Sequence, residues 1–266
     1  TGKLVIEARD IRYSYDEKPI VKDFSTLIMR GDKIGIMGPN GAGKTTLLSI
    51  LLKELTPDSG HVRHGTNLRT AYFDQLRLQL DESKTVAENI GEGNDYIVFD
   101  GQKRHTISHL KDFLFSPQRC RMPVEVLSGG EKNRLLLAKL FTRPANVLVF
   151  DEPTNDLDMD TLELLEELLF QFKGTVLLVS HDRTFLNNVV ASTIVFEGDG
   201  RVVEYAGGYD DWLLQRPSAD SGGKENGKDK EKKAAEEAGK HIEGLVVAKD
   251  MICPVVHPSN PVNAPA

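Results

Sequence analysis

The sequence contains little cysteine and tryptophan and no long apolar run. Its 266 residues include two cysteines, Cys120 and Cys253, and one tryptophan. The cysteines do not have the spacing of a metal site, and so low a content is typical of a reducing compartment. No apolar run approaches the ~20 residues that cross a bilayer, and no secretory signal is visible. These absences favour a globular, cytoplasmic protein with no membrane span of its own.

An excess of basic charge is also missing. The chain has 33 lysine and arginine residues against 40 aspartate and glutamate residues, which gives a net charge of −7. This balance argues against a surface built mainly to bind nucleic acid, although a local basic patch is compatible with it. The length fits one large domain or two small ones. Because residue 1 is Thr and not Met, we expect the chain to be a piece of a longer protein.

A glycine-rich stretch over residues 38–46 is the strongest motif of the chain. It follows an apolar run over 33–37, which predicts a buried strand, and it precedes an apolar run over 47–52, which predicts a helix. A strand, a glycine-rich loop and a helix in this order are the context of a phosphate-binding loop, whose N–H groups attract phosphate oxygens. The predicted phosphate-binding residues are Gly38, Pro39, Asn40, Gly41, Ala42, Gly43, Lys44, Thr45 and Thr46.

Lys44 and Thr45 indicate which phosphate ligand this loop takes. An ammonium at the position of Lys44 reaches the β- and γ-phosphates, and a hydroxyl at the next position holds Mg²⁺. The sequence therefore predicts a site for a nucleoside triphosphate with Mg²⁺.

Two segments ahead of the loop have the patterns of strands. Residues 3–15 and 20–29 predict a small antiparallel sheet. Tyr15 ends the first strand, and two interpretations of it are open. It stacks on an adenine base, or it simply packs as most strand tyrosines do; position alone favours packing.

The segment after the loop predicts a strand and a helical region. Residues 68–73 predict the strand, which ends at Asp74 and Gln75, and residues 85–115 have helical spacing of apolar residues. His105 and His109 stand four residues apart, as metal ligands on a helix can. With no third ligand nearby, we expect both histidines on a solvated helix face.

A second helix is predicted to begin after Ser128. Ser128 fits an N-cap, and Glu131 three residues on completes a capping box. Capping does not account for Gly129 and Gly130, which remove side chains from the helix N-terminus and leave its N–H groups open to an anion.

Two further apolar runs, 147–150 and 175–180, predict buried strands. The first ends at Asp151 and Glu152, and the second ends at His181. The carboxyl ends of parallel strands are where α/β sheets bind ligands. Asp151 fits a carboxylate beside Mg²⁺, and Glu152 fits a group that orients or deprotonates a water. His181, at the same edge, is expected to face the phosphate.

Five motifs occur in one order along the chain: the phosphate-binding loop, a glutamine after the next strand, Leu-Ser-Gly-Gly-Glu, a Val-Leu-Val-Phe-Asp-Glu-Pro strand and a strand-terminal histidine. Together they resemble the ATP-binding cassette (ABC) superfamily, over about residues 3–214. The resemblance implies an α/β P-loop NTPase fold with a RecA-like, mostly parallel sheet core. It also implies a small antiparallel β subdomain and a helical subdomain that carries the signature motif, residues 127–131.

The resemblance implies roles around the ATP that the cassette itself binds. Tyr15 would stack on adenine, and Gln75 would reach both Mg²⁺ and the attacking water. Asp151 would support Mg²⁺. Glu152 would be the catalytic base, and His181 would contact the γ-phosphate.

It also implies a second cassette. Ser128, Gly129 and Gly130 would contact the ATP of that second cassette in trans, and Asp158 would couple the two sites. We therefore expect a cassette over residues 1–214 and a low-complexity, disordered tail over 215–266, since residues 218–240 are nearly free of apolar side chains.

Within the superfamily, the chain resembles the F subfamily (ABC-F) and the second cassette of its Uup-like members, through residues 71–75, 129–134, 153–158 and 180–183. Members are soluble tandem-cassette ATPases that act at the ribosome, some with nucleic-acid links. The resemblance implies an ATP-hydrolysing cassette that closes head to tail with a second cassette on ATP. That second cassette would be the N-terminal half of a longer parent or a second copy, and the partner would be the ribosome or a structured nucleic acid.

The alternative is the nucleotide-binding subunit of an ABC membrane transporter. Such a subunit needs a groove in its helical subdomain to receive a coupling helix from the membrane partner. The short helical region here, and Glu131 in place of the Gln common in transporters, favour the ABC-F interpretation.

Overall fold

The computed structural model describes residues 2–73, 80–99, 102–155 and 157–216. The strands in these ranges are β1 (Leu4–Tyr15), β2 (Lys18–Met29), β3 (Lys33–Met37), β4 (Ser59–His64), β5 (Thr70–Tyr72), β6 (Tyr96–Phe99), β7 (Gln102–His105), β8 (Val147–Asp151), β9 (Thr175–Val179), β10 (Ser192–Gly198) and β11 (Arg201–Ala206). The α-helices are α1 (Lys44–Leu51), α2 (Val86–Gly91), α3 (Thr106–Asp112), α4 (Gly129–Thr142), α5 (Met159–Gln171), α6 (Arg183–Val189) and α7 (Tyr209–Gln215).

One large sheet carries the fold, in the order β4-β1-β2-β11-β10-β3-β9-β8-β5. Strands β10, β3, β9, β8 and β5 run parallel to one another, whereas β4, β1 and β2 pair antiparallel, and β11 pairs antiparallel with β10. The predicted antiparallel sheet is therefore present, and it is continuous with the parallel core. The join is parallel pairing of Arg201 in β11 with Lys22 in β2. This architecture confirms the predicted α/β cassette fold.

The parallel strands are buried on both faces, which is why they appear as unbroken apolar runs. In β8, Val147 and Val149 belong to the core layer that also contains α1, whereas Leu148 and Phe150 belong to the layer on the opposite face. That second layer contains the buried side chains of α4, α5 and α6. The parallel core thus lies between α1 and the antiparallel strands on one face and α4, α5 and α6 on the other, and the carboxyl ends of β3, β8 and β9 point to one edge.

Residues 85–115 are not the continuous helical region that the sequence predicts. Helix α2 ends at Gly91, where Glu92 and Gly93 adopt positive φ values of 50° and 88°. The β-branched and aromatic run 96–99 then pairs with residues 102–105 as a β6–β7 hairpin. Left-handed residues stop a helix, and such side chains favour strands over helices.

The expectation of a solvated helix face is correct only in that His105 is exposed to solvent, because His105 is the last residue of β7 and not part of a helix. His105 is exposed and caps α3, accepting the N–H of Ile107 at 3.2 Å. His109 is fully buried, with Nε2 3.1 Å from the carbonyl oxygen of Ala138, and burial lowers its pKa. A tertiary contact with α4 thus replaces the solvated face.

The next two expectations concern the C-terminal tail and membrane-spanning helices. The predicted tail lies, from residue 217 onward, outside the described residues, and the division at 214/215 stays a prediction; α7 ends at Gln215. Among the helices of the described ranges, none is both long enough and apolar enough to cross a membrane.

Candidate functional site

The phosphate-binding loop joins β3 to α1, as the sequence predicts. Residues 38–43 form the loop, and Lys44 is the first residue of the helix. Gly43 has φ 107°, in the left-handed region, and a Cβ there would collide with Cγ2 of Ile20 from β2. Only glycine meets both conditions, so the conformation and the packing explain this residue.

Lys44 is held inside the loop by a compact group of contacts. Its Nζ lies 3.1 Å from the carbonyl oxygen of Gly38 and 3.4 Å from that of Pro39. The same atom lies 2.7 Å from Nε2 of His181 and 3.7 Å from Oε1 of Glu152. The side chain is 8% exposed, so a cation is buried between the loop and the ends of β8 and β9.

Thr45 and Asp151 meet across the base of the loop. The Thr45 hydroxyl donates to Oδ2 of Asp151 at 3.0 Å. A hydroxyl and a carboxylate are hard oxygen ligands of the kind that Mg²⁺ takes beside a phosphate. The donor set fits this ion, and Thr45 and Asp151 would hold it.

Glu152 and His181 form a second pair at the same edge. The backbone N–H of His181 donates to Oε2 of Glu152 at 3.2 Å, and Nε2 lies 3.1 Å from Oε1. Because Nε2 is also 2.7 Å from the Lys44 ammonium, it accepts from the lysine or donates to the carboxylate, but not both.

The backbone of Glu152 is strained. Its φ is 50°, a left-handed conformation that costs a non-glycine residue about 1–2 kcal/mol. Its N–H donates to the carbonyl oxygen of Val179 in β9 at 2.8 Å. The strand pairing thus holds the carboxylate at the sheet edge in a conformation that the chain alone does not favour.

The signature motif starts α4 with the predicted capping box. Oγ of Ser128 accepts the N–H of Glu131 at 3.3 Å, and the N–H of Ser128 donates to Oε2 of Glu131 at 2.9 Å. A Cβ added to Gly129 meets nothing within 4 Å, so this helix start is open. A Cβ added to Gly130 would instead collide with Oδ2 of Asp158.

Asp158 links the start of α4 to the start of α5. It caps α5 by accepting the N–H of Thr161 at 2.9 Å, and the interactions with Thr161, those of its side chain and then of its backbone, lower the pKa of Asp158. Nη1 of Arg134 from α4 lies 4.0 Å from its Oδ2. The structure therefore brings Gly130 of the signature motif against Asp158.

The remaining predicted site residues are placed as follows. Tyr15 is half exposed at the end of β1, with its ring edge-on to that of Tyr13 at a centroid distance of 5.0 Å. Gln75 lies outside the described residues. Within the part of the chain that the structure describes, no hydrogen bond or ion pair joins Ser128 to Lys44. Thr46 follows Thr45 in the first turn of α1, and Pro39, Asn40, Gly41 and Ala42 lie in the loop.

Sequence reasoning missed Arg119. Nε and Nη2 of this residue donate to Oε1 and Oε2 of Glu131 at 2.6 and 2.7 Å. An isolated arginine twelve positions ahead of its partner carries no periodic or motif signal, so only the folded structure reveals the contact.

Comparisons with known proteins agree with this geometry. The ABC transporter family matches residues 21–155. ATP-binding protein Uup of Escherichia coli is 54% identical over 211 residues, which are 79% of this chain and 33% of that protein. ATP-binding protein Uup of Haemophilus influenzae is 53% identical over 216 residues, 81% of this chain and 33% of that protein. The chain thus spans 33% of the length of these two relatives.

A solved structure shows the same fold at low sequence identity. It is cbiO1 from Clostridium perfringens, described as part of the ABC transporter complex cbiONQ, with a TM-score of 0.60 and 22% identity. The alignment covers 80% of this chain and 92% of that one.

The parallel sheet, the loop between β3 and α1 and the capped start of α4 define an ATP-binding cassette. The family match and the sequence identity to Uup together define the class of protein more closely. The chain belongs to the ABC superfamily and, within it, to the F subfamily, among the Uup-like proteins. This confirms the resemblance that its motifs indicate.

Proposed function

We propose that the chain is the ATP-hydrolysing cassette of an ABC-F protein, converting ATP and water to ADP and phosphate. The observation that carries this proposal is the meeting of Lys44, Glu152 and His181 at one sheet edge, with Nζ to Nε2 at 2.7 Å and Nε2 to Oε1 at 3.1 Å. A cation for phosphate, a carboxylate for water and an imidazole between them are the groups that this reaction needs.

Each of these side chains has a distinct task in the proposed reaction. Lys44 compensates phosphate charge from inside the loop. Glu152 orients the attacking water and accepts its proton. His181 fixes the Glu152 carboxylate through its backbone N–H at 3.2 Å and contacts the γ-phosphate with its ring. Thr45 and Asp151, with Gln75, would hold Mg²⁺, which would supply positive charge beside the phosphates.

The start of α4 supports a composite site. Ser128 and the open Gly129 present a helix N-terminus, which attracts anions. We propose that Ser128, Gly129 and Gly130 bind the ATP held by a second cassette, and that Asp158 couples the two sites. The cassettes would then close head to tail with two ATP molecules between them. Relatives three times as long as the matched region leave room for that second cassette.

The ABC-F relationship supports a cytoplasmic protein whose parent acts on the ribosome or on structured nucleic acid. Because the chain carries a net charge of −7, we expect the grip on such a partner to come chiefly from parts of the parent outside residues 1–214.

The test uses Glu152→Gln, which keeps the shape of the side chain and removes the base. The variant should bind ATP, hydrolyse it far more slowly and pair in the presence of ATP, as light scattering measures. In the full-length parent, the same variant should co-sediment with ribosomes only with ATP, while the 266-residue chain stays free. A variant that hydrolyses ATP at the normal rate contradicts the role of Glu152. A parent recovered with a membrane protein in detergent, and not with ribosomes, supports the transporter alternative.

A further inference from the structure

Arg119 and Glu131 form an ion pair beside the start of α4. Nε and Nη2 of Arg119 donate to the two carboxylate oxygens at 2.6 and 2.7 Å, a bidentate geometry. Nη2 also donates to the carbonyl oxygen of Val126 at 3.2 Å. Arg119 therefore contacts the chain on both sides of Ser128.

The carboxylate of Glu131 is charged and close to Ser128. Its Oε2 accepts the backbone N–H of Ser128 at 2.9 Å. The hydrogen bonds from Arg119, and then those from Ser128, lower the pKa of Glu131 to about 2, so the group is ionised at neutral pH. The side chain is 17% exposed, so water screens its charge only in part.

This charge opposes the proposed task of the helix start. A negative charge at N3 suits the helix dipole, but it repels a phosphate that approaches the same N–H groups. The guanidinium of Arg119 removes the conflict, because it cancels the charge of Glu131 and leaves the capping box intact.

We propose that Arg119 is a positioning residue that neutralises Glu131, so that the start of α4 accepts the triphosphate of a second cassette. The inference rests on the proposed composite site, and it goes beyond that site because no motif contains Arg119. The pairing of cassettes should depend on the summed charge of residues 119 and 131. ATP binding to the chain's own loop should not.

The experiment measures ATP-driven pairing by sedimentation in the Glu152→Gln background of the 266-residue chain. Adding Arg119→Met leaves Glu131 uncompensated and should weaken pairing about tenfold or more. Adding Glu131→Gln as well should restore pairing, because glutamine keeps the capping hydrogen bond and carries no charge. Glu131→Gln without the Arg119 change should pair at least as tightly as the chain that carries Glu152→Gln alone. A fluorescent ATP analogue, used at concentrations where the chains are monomers, should bind equally to all variants.

Arg104→Met is the matched control, because it also breaks an arginine ion pair in the same region, at 2.7 Å from Asp112. If Arg119→Met pairs as tightly as this control, the proposal is wrong. If Glu131→Gln fails to restore pairing, Arg119 acts through packing alone, and the proposal is also wrong. If Arg119→Met does not fold, the comparison of Glu131→Gln with the chain that carries Glu152→Gln alone remains. Weaker pairing of the Glu131→Gln variant then overturns the proposal. If the chain with Glu152→Gln alone shows no ATP-dependent pairing, the proposed composite site is wrong, and this inference is wrong with it.

Discussion

The carboxylate of Asp158 occupies the space that a side chain at Gly130 would need. A Cβ at residue 130 would collide with Oδ2, whereas a Cβ at Gly129 meets nothing within 4 Å. The other oxygen of Asp158 accepts the N–H of Thr161 at 2.9 Å and caps α5. The starts of two helices thus touch at Gly130, whereas the space beside the adjacent Gly129 is open.

Gly130→Ala should therefore destabilise the fold through Asp158. The methyl group displaces the carboxylate and removes the cap of α5, at a cost of about 1 kcal/mol of unfolding free energy. Urea denaturation measures this loss, and Gly129→Ala is the control that should show none. In an Asp158→Ala background, Gly130→Ala should cost little more. If Gly130→Ala lowers the unfolding free energy equally in the wild-type and Asp158→Ala backgrounds, its effect does not come from the contact with Asp158.

Acid should abolish the contribution of Glu131 to stability. Its pKa in the folded protein is about 2, against an ordinary value of 4.5. Because the folded value is the lower one, the stabilisation is complete above pH 4.5 and is lost as the pH falls towards 2. The stability difference between wild type and Arg119→Met should be largest at neutral pH and should shrink by about pH 3. Denaturation curves at several pH values measure it, and a constant difference would refute the assignment.

Lys44→Ala should abolish tight ATP binding. Without the ammonium, the phosphate charge in the loop is uncompensated, so affinity should fall about a hundredfold or more. Equilibrium binding of a fluorescent ATP analogue measures the effect. Lys111→Ala, which removes an exposed lysine from α3, is the matched control. Unchanged ATP affinity of Lys44→Ala would contradict the proposal that this loop binds the nucleotide.

Tyr15→Ala should weaken ATP binding about tenfold if the ring stacks on the base. Tyr15→Phe keeps the stacking face and should bind normally. The same fluorescence titration distinguishes the two interpretations of this residue. Equal affinity of Tyr15→Ala and wild type would mean that the ring packs on Tyr13 and does nothing for the nucleotide.

Local patterns predict most of this fold because the decisive signals lie close together in sequence. The capping box from Ser128 to Glu131 spans four residues, and the apolar run of β8 indicates a strand buried on both faces. The hairpin over 96–105 escapes the prediction because the helical spacing comes from apolar residues on either side of it, over 86–90 and 107–114. The positive φ values of Glu92 and Gly93, which end α2, are visible only in the structure.

Contacts between distant segments could not be predicted in this way. The burial of His109 depends on the carbonyl of Ala138, and the role of Arg119 depends on Glu131. The triad of Lys44, Glu152 and His181 was predicted only as three groups at one sheet edge. The position of His181 Nε2 between Lys44 and Glu152 is known only from distances in the structure, because a sequence pattern does not give interatomic distances.

The contact of Gly43 with Ile20 limits how this chain can be divided. Every motif residue of the phosphate loop lies after residue 37, yet the wall behind Gly43 comes from β2. A fragment that begins at β3 would keep the whole loop sequence and lose the surface that shapes it. Grafting this loop onto another scaffold would therefore lose the packing of Ile20 behind Gly43 unless the scaffold supplied a side chain at that place.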